Sequence, residues 1–152
     1  MHYRSLFAAL AGVAAVIVLP LAPSAQAATS PIQFGVIYYN SPGADRGGTS
    51  SLNHEYVTIK NTSSTSHNLT GWTLRDAAKH VYTFGAFHLA AGKSVRVHTG
   101  IGANTSANLY WGHKWYIWNN TGDKAYLRNA AGTQKDYCAW TDPSTIRSTK
   151  TC

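Results

Sequence analysis

Residues 53–76, NHEYVTIKNTSSTSHNLTGWTLRD, contain two runs in which apolar and polar residues alternate. The first run covers residues 55–61, the second covers residues 69–76, and a polar loop at 62–68 joins them. Alternation with a period of two is typical of a strand that buries one face. The pattern therefore predicts two strands that contribute to one core. The side chains expected in that core are Val57, Ile59, Trp72 and Leu74.

The rest of the chain repeats this pattern of short strands and turns. In the first further candidate, residues 32–39, alternation places Phe34 and Tyr38 on one face and Ile37 on the other. Residues 40–51 are rich in Gly, Ser and Pro and predict a loop. The further strand candidates are residues 32–39, 80–84, 94–98, 124–128 and 133–138.

The fold class follows from the number and length of these segments. No segment carries apolar residues at helical spacing over the roughly ten positions that a helix needs. About seven short strands separated by Gly- and Asn-containing turns favour an antiparallel β-sandwich. The chain shows no internal repeat, so we expect one globular domain.

The amino terminus has the features of a secretory signal peptide. Arg4 precedes an apolar run at residues 6–19, which is shorter than the ~20 residues of a membrane-spanning helix. Alanines at the end of the segment occupy the two positions that a signal peptidase reads. We expect cleavage after Ala27, which would separate the signal peptide, residues 1–27, from a secreted domain, residues 28–152.

The mature domain is expected to be basic. Loss of Arg4 would leave 12 basic and 6 acidic side chains. An excess of positive charge favours anionic partners such as nucleic acid, acidic cell-envelope polymers or lipid surfaces. The basic residues are scattered singly along the chain, however, which is equally typical of an ordinary solvated surface.

Cys138 and Cys152 are the only cysteines in the chain. In an exported protein such a pair is expected to form a disulfide, the alternative being two free thiols. The disulfide would close a loop of about 15 residues and stabilise the domain by at most about 3 kcal/mol. It would also tie the carboxyl terminus to the last predicted strand.

Six short motifs occur in a fixed order along the mature chain. They are EYVxIxN at 55–61, LxGWxLxD at 69–76, YxF at 82–84, LxxGxxVxV at 89–97, WNNxGD at 118–123 and GxxxD at 132–136. Together they resemble the lamin-tail domain family, and this resemblance implies an immunoglobulin-like β-sandwich. It also implies structural roles for the motif residues Glu55, Asn61, Gly71, Trp72, Asp76, Asn120, Gly122, Asp123 and Asp136.

The resemblance implies binding rather than catalysis. Similar domains are interaction modules in nuclear lamins, and in secreted bacterial proteins they occur alone or beside hydrolases and nucleases. The mature chain contains no nucleophile elbow, no phosphate-binding loop and no histidine pair at metal-ligand spacing on a helix. We therefore predict no catalytic residue, no metal and no cofactor, although a triad assembled from distant residues stays open.

The aromatic segment at residues 109–118, LYWGHKWYIW, is the best candidate for ligand binding. In a strand only alternate side chains face the core, so one half of the segment would be exposed. Exposed rings beside cations stack on sugars or nucleobases and anchor protein interfaces. Alternatively, the rings fill the core, because Trp and Tyr are ordinary residues of sheets. The candidate contact residues are Tyr110, Trp111, Lys114, Trp115 and Tyr116.

Three functions follow from these features. The first is a secreted, non-catalytic module, expected to be monomeric, that recognises an extracellular or cell-surface glycan or protein. The second is binding of nucleic acid or another polyanion through the basic surface. The third is a small secreted hydrolase.

Overall fold

The computed structural model describes residues 29–143 and 146–152, and the predicted signal peptide, residues 1–27, lies outside them. The described residues form one short helix and short strands that assemble into sheets. The elements are β1 (Ile32–Tyr38), α1 (Thr49–His54), β2 (Tyr56–Asn61), β3 (His67–Asn68), β4 (Thr73–Arg75), β5 (Val81–Thr83), β6 (His88–Leu89), β7 (Ser94–His98), β8 (Asn108–Tyr110), β9 (Gly122–Arg128), β10 (Gln134–Thr141) and β11 (Thr149–Thr151).

Two main sheets enclose the core. The larger sheet has five strands in the order β11-β1-β2-β7-β8, and the smaller has four in the order β10-β9-β4-β5. Among the strand pairs of the described residues, β7 and β8 alone run parallel, and β3 and β6 form a separate two-stranded sheet. The predicted antiparallel β-sandwich is therefore confirmed. In the described part of the chain, no helix has the length and apolar character to span a bilayer.

The central strand pair is confirmed in part. Val57, Ile59 and Leu74 are fully buried in one cluster, as the alternation predicts. Trp72, however, is only partly buried, and the second run is not one strand. The amide of Trp72 donates to the carbonyl of Leu69, so the chain turns before β4 begins. Hydrogen bonding in this turn outweighs the periodic pattern.

The faces predicted for β1 are wrong beyond its midpoint. Phe34 and Ile37 are both buried, although they are three positions apart and regular alternation would place them on opposite faces. A β-bulge between these residues shifts the pairing with β2 by one position. Because a bulge inserts one unpaired residue, it moves every later side chain to the opposite face. Tyr38 therefore lies on the outer face of the five-stranded sheet.

The predicted loop at residues 40–51 overlaps a helix that the pattern did not indicate. Helix α1 has 6 residues and buries only Leu52. A single apolar side chain cannot generate a helical period, so the sequence carried no signal for this element. The helix packs against β7 and leads directly into β2.

The predicted disulfide between Cys138 and Cys152 is present. Cys138 lies in β10 of the four-stranded sheet, and Cys152 follows β11 at the edge of the five-stranded sheet. The bond therefore joins the two layers of the sandwich. Strand β11 itself, TKT, has no apolar residue, and this explains why the sequence pattern missed it.

Candidate ligand-binding face

The aromatic segment does not continue as a strand after Tyr110. Ile117 and Trp118 are adjacent and both buried, which excludes simple alternation. Their backbone amides donate to Glu55 Oε1 at 2.8 and 3.3 Å. A buried carboxylate, rather than a neighbouring strand, holds this part of the chain. The prediction that alternate side chains of the segment face the core is therefore wrong.

The five candidate residues of this segment contact different parts of the molecule. Tyr110 stacks on His98 in the neighbouring strand, with 5.0 Å between ring centroids. Trp111 packs against the core instead, with its ring 6.1 Å from that of Trp118. Lys114 is exposed.

The other two candidates lie beside the loop and helix that precede β2. Trp115 is 58% exposed and lies against Gly47, where an added Cβ would come 2.7 Å from the indole. The hydroxyl of Tyr116 is 2.6 Å from Ser51 Oγ in α1. The structure does not assemble the five residues into a single patch, and their role in binding stays a prediction.

A continuous row of rings crosses the outer face of the five-stranded sheet. Its members are side by side in the strand pairing, and the ring centroids of successive members are 5.6, 5.4 and 5.0 Å apart. We call this the aromatic row. It consists of Tyr38 in β1, Tyr56 in β2, His98 in β7 and Tyr110 in β8.

A basic concavity of about 470 Å³ lies beside the aromatic row. The guanidinium of Arg96 covers the ring of Tyr56 at 4.8 Å, and the exposed side chain of Lys60 crosses over Gly35 in β1. We call this concavity the basic trough. Its lining includes Tyr56, Thr58, Lys60, Ser94, Arg96 and Asn108.

Sequence reasoning missed the basic trough because its residues come from separate strands. The outward positions of β2 and β7 could be read from alternation, since Val57 and Val97 mark the inward phase. The register that places Thr58 opposite Arg96 could not be read in this way. That register brings the two sets of side chains together.

The carboxylates are used inside the domain. Glu55 is fully buried, and its Oε1 also accepts a hydrogen bond from the hydroxyl of Thr99 at 2.6 Å. Burial raises the pKa of Glu55 to about 7, although these hydrogen bonds oppose the shift. Glu55 Oε2 is buried and has no partner among the described residues, so the site can hold a proton.

Three aspartates bind backbone amides at turns and strand ends. Asp76 accepts from the amide of His80 at 2.7 Å, and Asp123 accepts from Asn119 at 3.0 Å. Asp136 accepts from the amide of Phe34 at 2.6 Å. Hydrogen bonds of this kind satisfy amides that would otherwise lack partners.

The remaining carboxylates are also engaged. Asp142 accepts from the amide of Arg147 at 2.8 Å, and Asp45 accepts from the side chain of Asn120 at 3.0 Å. In residues 29–143 and 146–152, only His80 forms an ion pair, with Asp76 at 2.6 Å. No lysine or arginine of these ranges pairs with a carboxylate. The side-chain carboxylates are therefore engaged in hydrogen bonds within the domain, while the lysines and arginines of these ranges have no carboxylate partner.

The other motif residues shape turns. Asn61 is buried and donates to the carbonyl of Leu89 at 3.0 Å, which joins β2 to the two-stranded sheet of β3 and β6. Gly71 has φ +76°, a conformation that strongly favours glycine. At Gly122, φ is +151° and an added Cβ would lie 2.9 Å from the carbonyl oxygen of Trp140.

His80 and His113 face each other at the surface, with ring centroids 5.7 Å apart. Burial, together with the nearby His80, lowers the pKa of His113. This pair has no third ligand, since no group of three or more His, Cys, Asp or Glu side chains in the described residues could hold a metal ion.

A family model described as Lamin Tail Domain matches residues 25–142, well over half of the chain. No curated protein matches the chain. The matched segment ends before β11, so the strand that the disulfide ties to the sandwich lies beyond it.

Proposed function

We propose that this chain, which belongs to the lamin tail domain family, is a secreted binding module for an anionic polymer outside the cell or at its surface. The family consists of non-catalytic domains with an immunoglobulin-like fold, which suggests an interaction module. The identity of the ligand and the export of the chain are our proposals. Export is supported by the features of residues 1–27, and the ligand class by the distribution of charge.

The separation of charge carries the proposal. Every carboxylate of the described residues accepts a hydrogen bond from a backbone amide or a side chain, whereas no lysine or arginine is paired with one. Cations without a carboxylate partner produce a positive potential that attracts polyanions and releases their counterions on binding. An extracellular glycan that bears acidic groups fits this surface better than a neutral one does.

The test is retention of the mature domain, residues 28–152, on heparin, DNA and insoluble acidic cell-wall glycan across a salt series. We expect binding to all three at low salt and an affinity that falls at least about tenfold between roughly 50 and 200 mM salt. A neutral glycan matrix is the control. Absence of retention on every polyanion at low salt, or retention on the neutral matrix alone, would contradict the proposal.

The predicted aromatic segment is tested in the same experiment. Trp115→Ala removes the most exposed ring of the segment, and Trp111→Ala removes a ring that packs on the core. If the segment binds glycan directly, retention of the unmodified domain survives high salt, and Trp115→Ala lowers that retention. If charge dominates, Trp115→Ala leaves both the retention and its salt dependence unchanged.

Secretion and cleavage after Ala27 are tested separately. We expect the protein in the culture fluid of the producing cell, with an amino terminus at Ala28. Mass spectrometry of the intact chain distinguishes this product from a cell-associated chain that retains Met1. An uncleaved chain would contradict the proposal of secretion and leave the ligand class to the binding experiment.

A further inference from the structure

We propose that the basic trough is the binding site for one acidic unit of a glycan chain, held by its anionic group and its sugar hydroxyls. This inference rests on the proposed function, because it assumes that the domain binds an anionic polymer. It goes further in naming the face, the contacts and the kind of polymer. The ligand chemistry is a sugar bearing a carboxylate, sulfate or phosphate group.

Lys60 and Arg96 line the trough, and neither is paired with a carboxylate of the described residues. Thr58 is opposite Arg96 in the pairing of β2 with β7, and Lys60 is opposite Ser94, so Lys60 and Arg96 are diagonal neighbours. Among residues 29–143 and 146–152 neither forms an ion pair, and none of the carboxylates there lines the trough. Like charges on adjacent strands repel each other. An anion between them relieves this repulsion and accepts hydrogen bonds from both.

The trough also offers hydrogen-bonding groups that no protein atom uses. The hydroxyls of Tyr56, Thr58 and Ser94 have no partner among the residues described. The side-chain amide of Asn108 lies 2.9 Å from His98 Nε2, a contact that occupies one end of the amide and leaves the other end for a ligand. Hydroxyl and amide groups can both donate and accept, as the hydroxyls of a sugar require.

The ring faces argue for a sugar and against a nucleobase. Arg96 already covers one face of Tyr56. His98 stacks on one side of Tyr110, and Gly102 lies so close to this ring that an added Cβ would be 2.4 Å from its Cζ. Base recognition on sheets depends on ring faces that are free for stacking. Tyr56, the member of the aromatic row that lines the trough, instead offers its hydroxyl to a ligand.

The other concavities lack this combination. One of about 430 Å³ at the end of β9 and β10 contains Lys124 beside Asp123, whose carboxylate binds backbone amides. Another of about 440 Å³, lined by Phe87 and His88 among others, contains no lysine or arginine. Of these three concavities, the basic trough alone places two cations without carboxylates beside unpaired hydroxyls.

The experiment compares polygalacturonate, a chain of uronate sugars, with its methyl ester, which keeps the sugars and removes the charge. Binding of the mature domain is measured by calorimetry at fixed ionic strength. We expect binding of polygalacturonate and at least tenfold weaker binding of the ester. Lys60→Ala combined with Arg96→Ala should weaken binding at least tenfold. Thr58→Val, which leaves the charge unchanged, should weaken it several-fold.

The matched control removes the same charge from the opposite sheet. Arg75→Ala combined with Lys124→Ala should change the affinity less than threefold. Thermal unfolding of each variant verifies that it is folded. Equal losses from the two double variants would overturn the trough as the site, while the proposed polyanion binding would stand. Loss of binding to every polyanion tested, in the unmodified domain, would overturn both.

Single-stranded poly(dT) distinguishes the other class of polymer. If it binds more tightly than polygalacturonate and responds to the same trough variants, the occupant is a nucleic acid and the glycan assignment is wrong. If it binds weakly, or responds equally to both double variants, its affinity reflects overall charge. That result, with site-specific binding of polygalacturonate, would support the inference.

Discussion

The outer faces of the two sheets carry the same pair of residue types with different surroundings. On the five-stranded sheet Arg96 lies over Tyr56 at 4.8 Å, and on the four-stranded sheet Arg75 lies over Tyr126 at 5.0 Å. Cation–π contacts of this kind contribute similar small stabilisation at exposed sites. The contact by itself therefore does not distinguish a binding site from an ordinary covered surface.

The difference lies in what surrounds each pair. Arg75 is only partly exposed, and its Nε is buried without a partner in the described residues, so its guanidinium lies against the sheet. A second ring, Tyr137, packs on Tyr126 at 5.2 Å. Arg96 is exposed instead and borders a concavity of about 470 Å³. The two faces therefore differ in depth and in the groups around each arginine rather than in residue type.

Removing the disulfide that joins the two sheets is expected to have the largest effect on the free energy of unfolding. Replacing Cys138 and Cys152 by serine removes a disulfide that spans 14 positions and should lower the free energy of unfolding by about 3 kcal/mol. Urea unfolding of the variant measures the loss. Amide hydrogen exchange should accelerate in β1, where Val36 pairs with Thr151. A change below about 1 kcal/mol would show that β11 is held by other contacts.

The next largest effect is a dependence of stability on pH that originates beneath the five-stranded sheet. Burial raises the pKa of Glu55 to about 7 from its ordinary value of 4.5. The folded state therefore binds the proton more tightly than the unfolded state does. The stability that Glu55 contributes is present in full below about pH 4.5 and is lost as the pH rises to about 7, by up to about 3 kcal/mol.

The variant Glu55→Gln isolates this contribution. The glutamine side chain cannot ionise, but it keeps an oxygen that can accept hydrogen bonds from the backbone amides of Ile117 and Trp118. The difference in unfolding free energy between the variant and the natural chain should change across pH 4.5–7 and level off above. Measurement needs denaturant titrations at several pH values. A difference that is constant with pH would contradict the assignment of the shift to Glu55.

Single substitutions of Arg96 and Arg75 test whether the outer faces of the two sheets differ in binding. Arg96→Ala and Arg75→Ala should each change the unfolding free energy by about 0.5–1 kcal/mol, because each loses one cation–π contact. Only Arg96→Ala should also weaken the binding of polygalacturonate. Thermal unfolding and calorimetry on the same samples give both quantities. The comparison fails if Arg75→Ala weakens binding as much as Arg96→Ala does.

The smallest change in stability is expected at Gly35. A Cβ added there would lie 2.5 Å from Lys60 Cε, so the flexible lysine must move aside. We expect a stability change of less than about 1 kcal/mol and a several-fold weaker affinity for polygalacturonate, because the ammonium leaves the trough. In Gly35→Ala combined with Lys60→Ala, the losses should not add. Additive losses would show that Gly35→Ala acts elsewhere.

Prediction from the sequence succeeded where alternation was long and apolar. Strands β2, β7 and β9 bury Val57, Val97 and Leu127 as expected, because branched and long apolar residues mark every second position. It failed where an element has little apolar content, as in β11, or where the backbone departs from regularity, as at the bulge in β1. These departures depend on hydrogen bonds to residues far away in the chain.

For the candidate site, the sequence indicated aromatic residues and positive charge but not their arrangement. The alternation of β2 alone determined that Val57 and Ile59 face inward, and so that Tyr56 and Lys60 face outward. The tertiary structure decided that Lys60 lies beside Arg96 and that Glu55 is enclosed by residues more than forty positions away. Periodicity is a local property of the backbone, whereas register and the pairing of buried charge are settled only when distant strands meet.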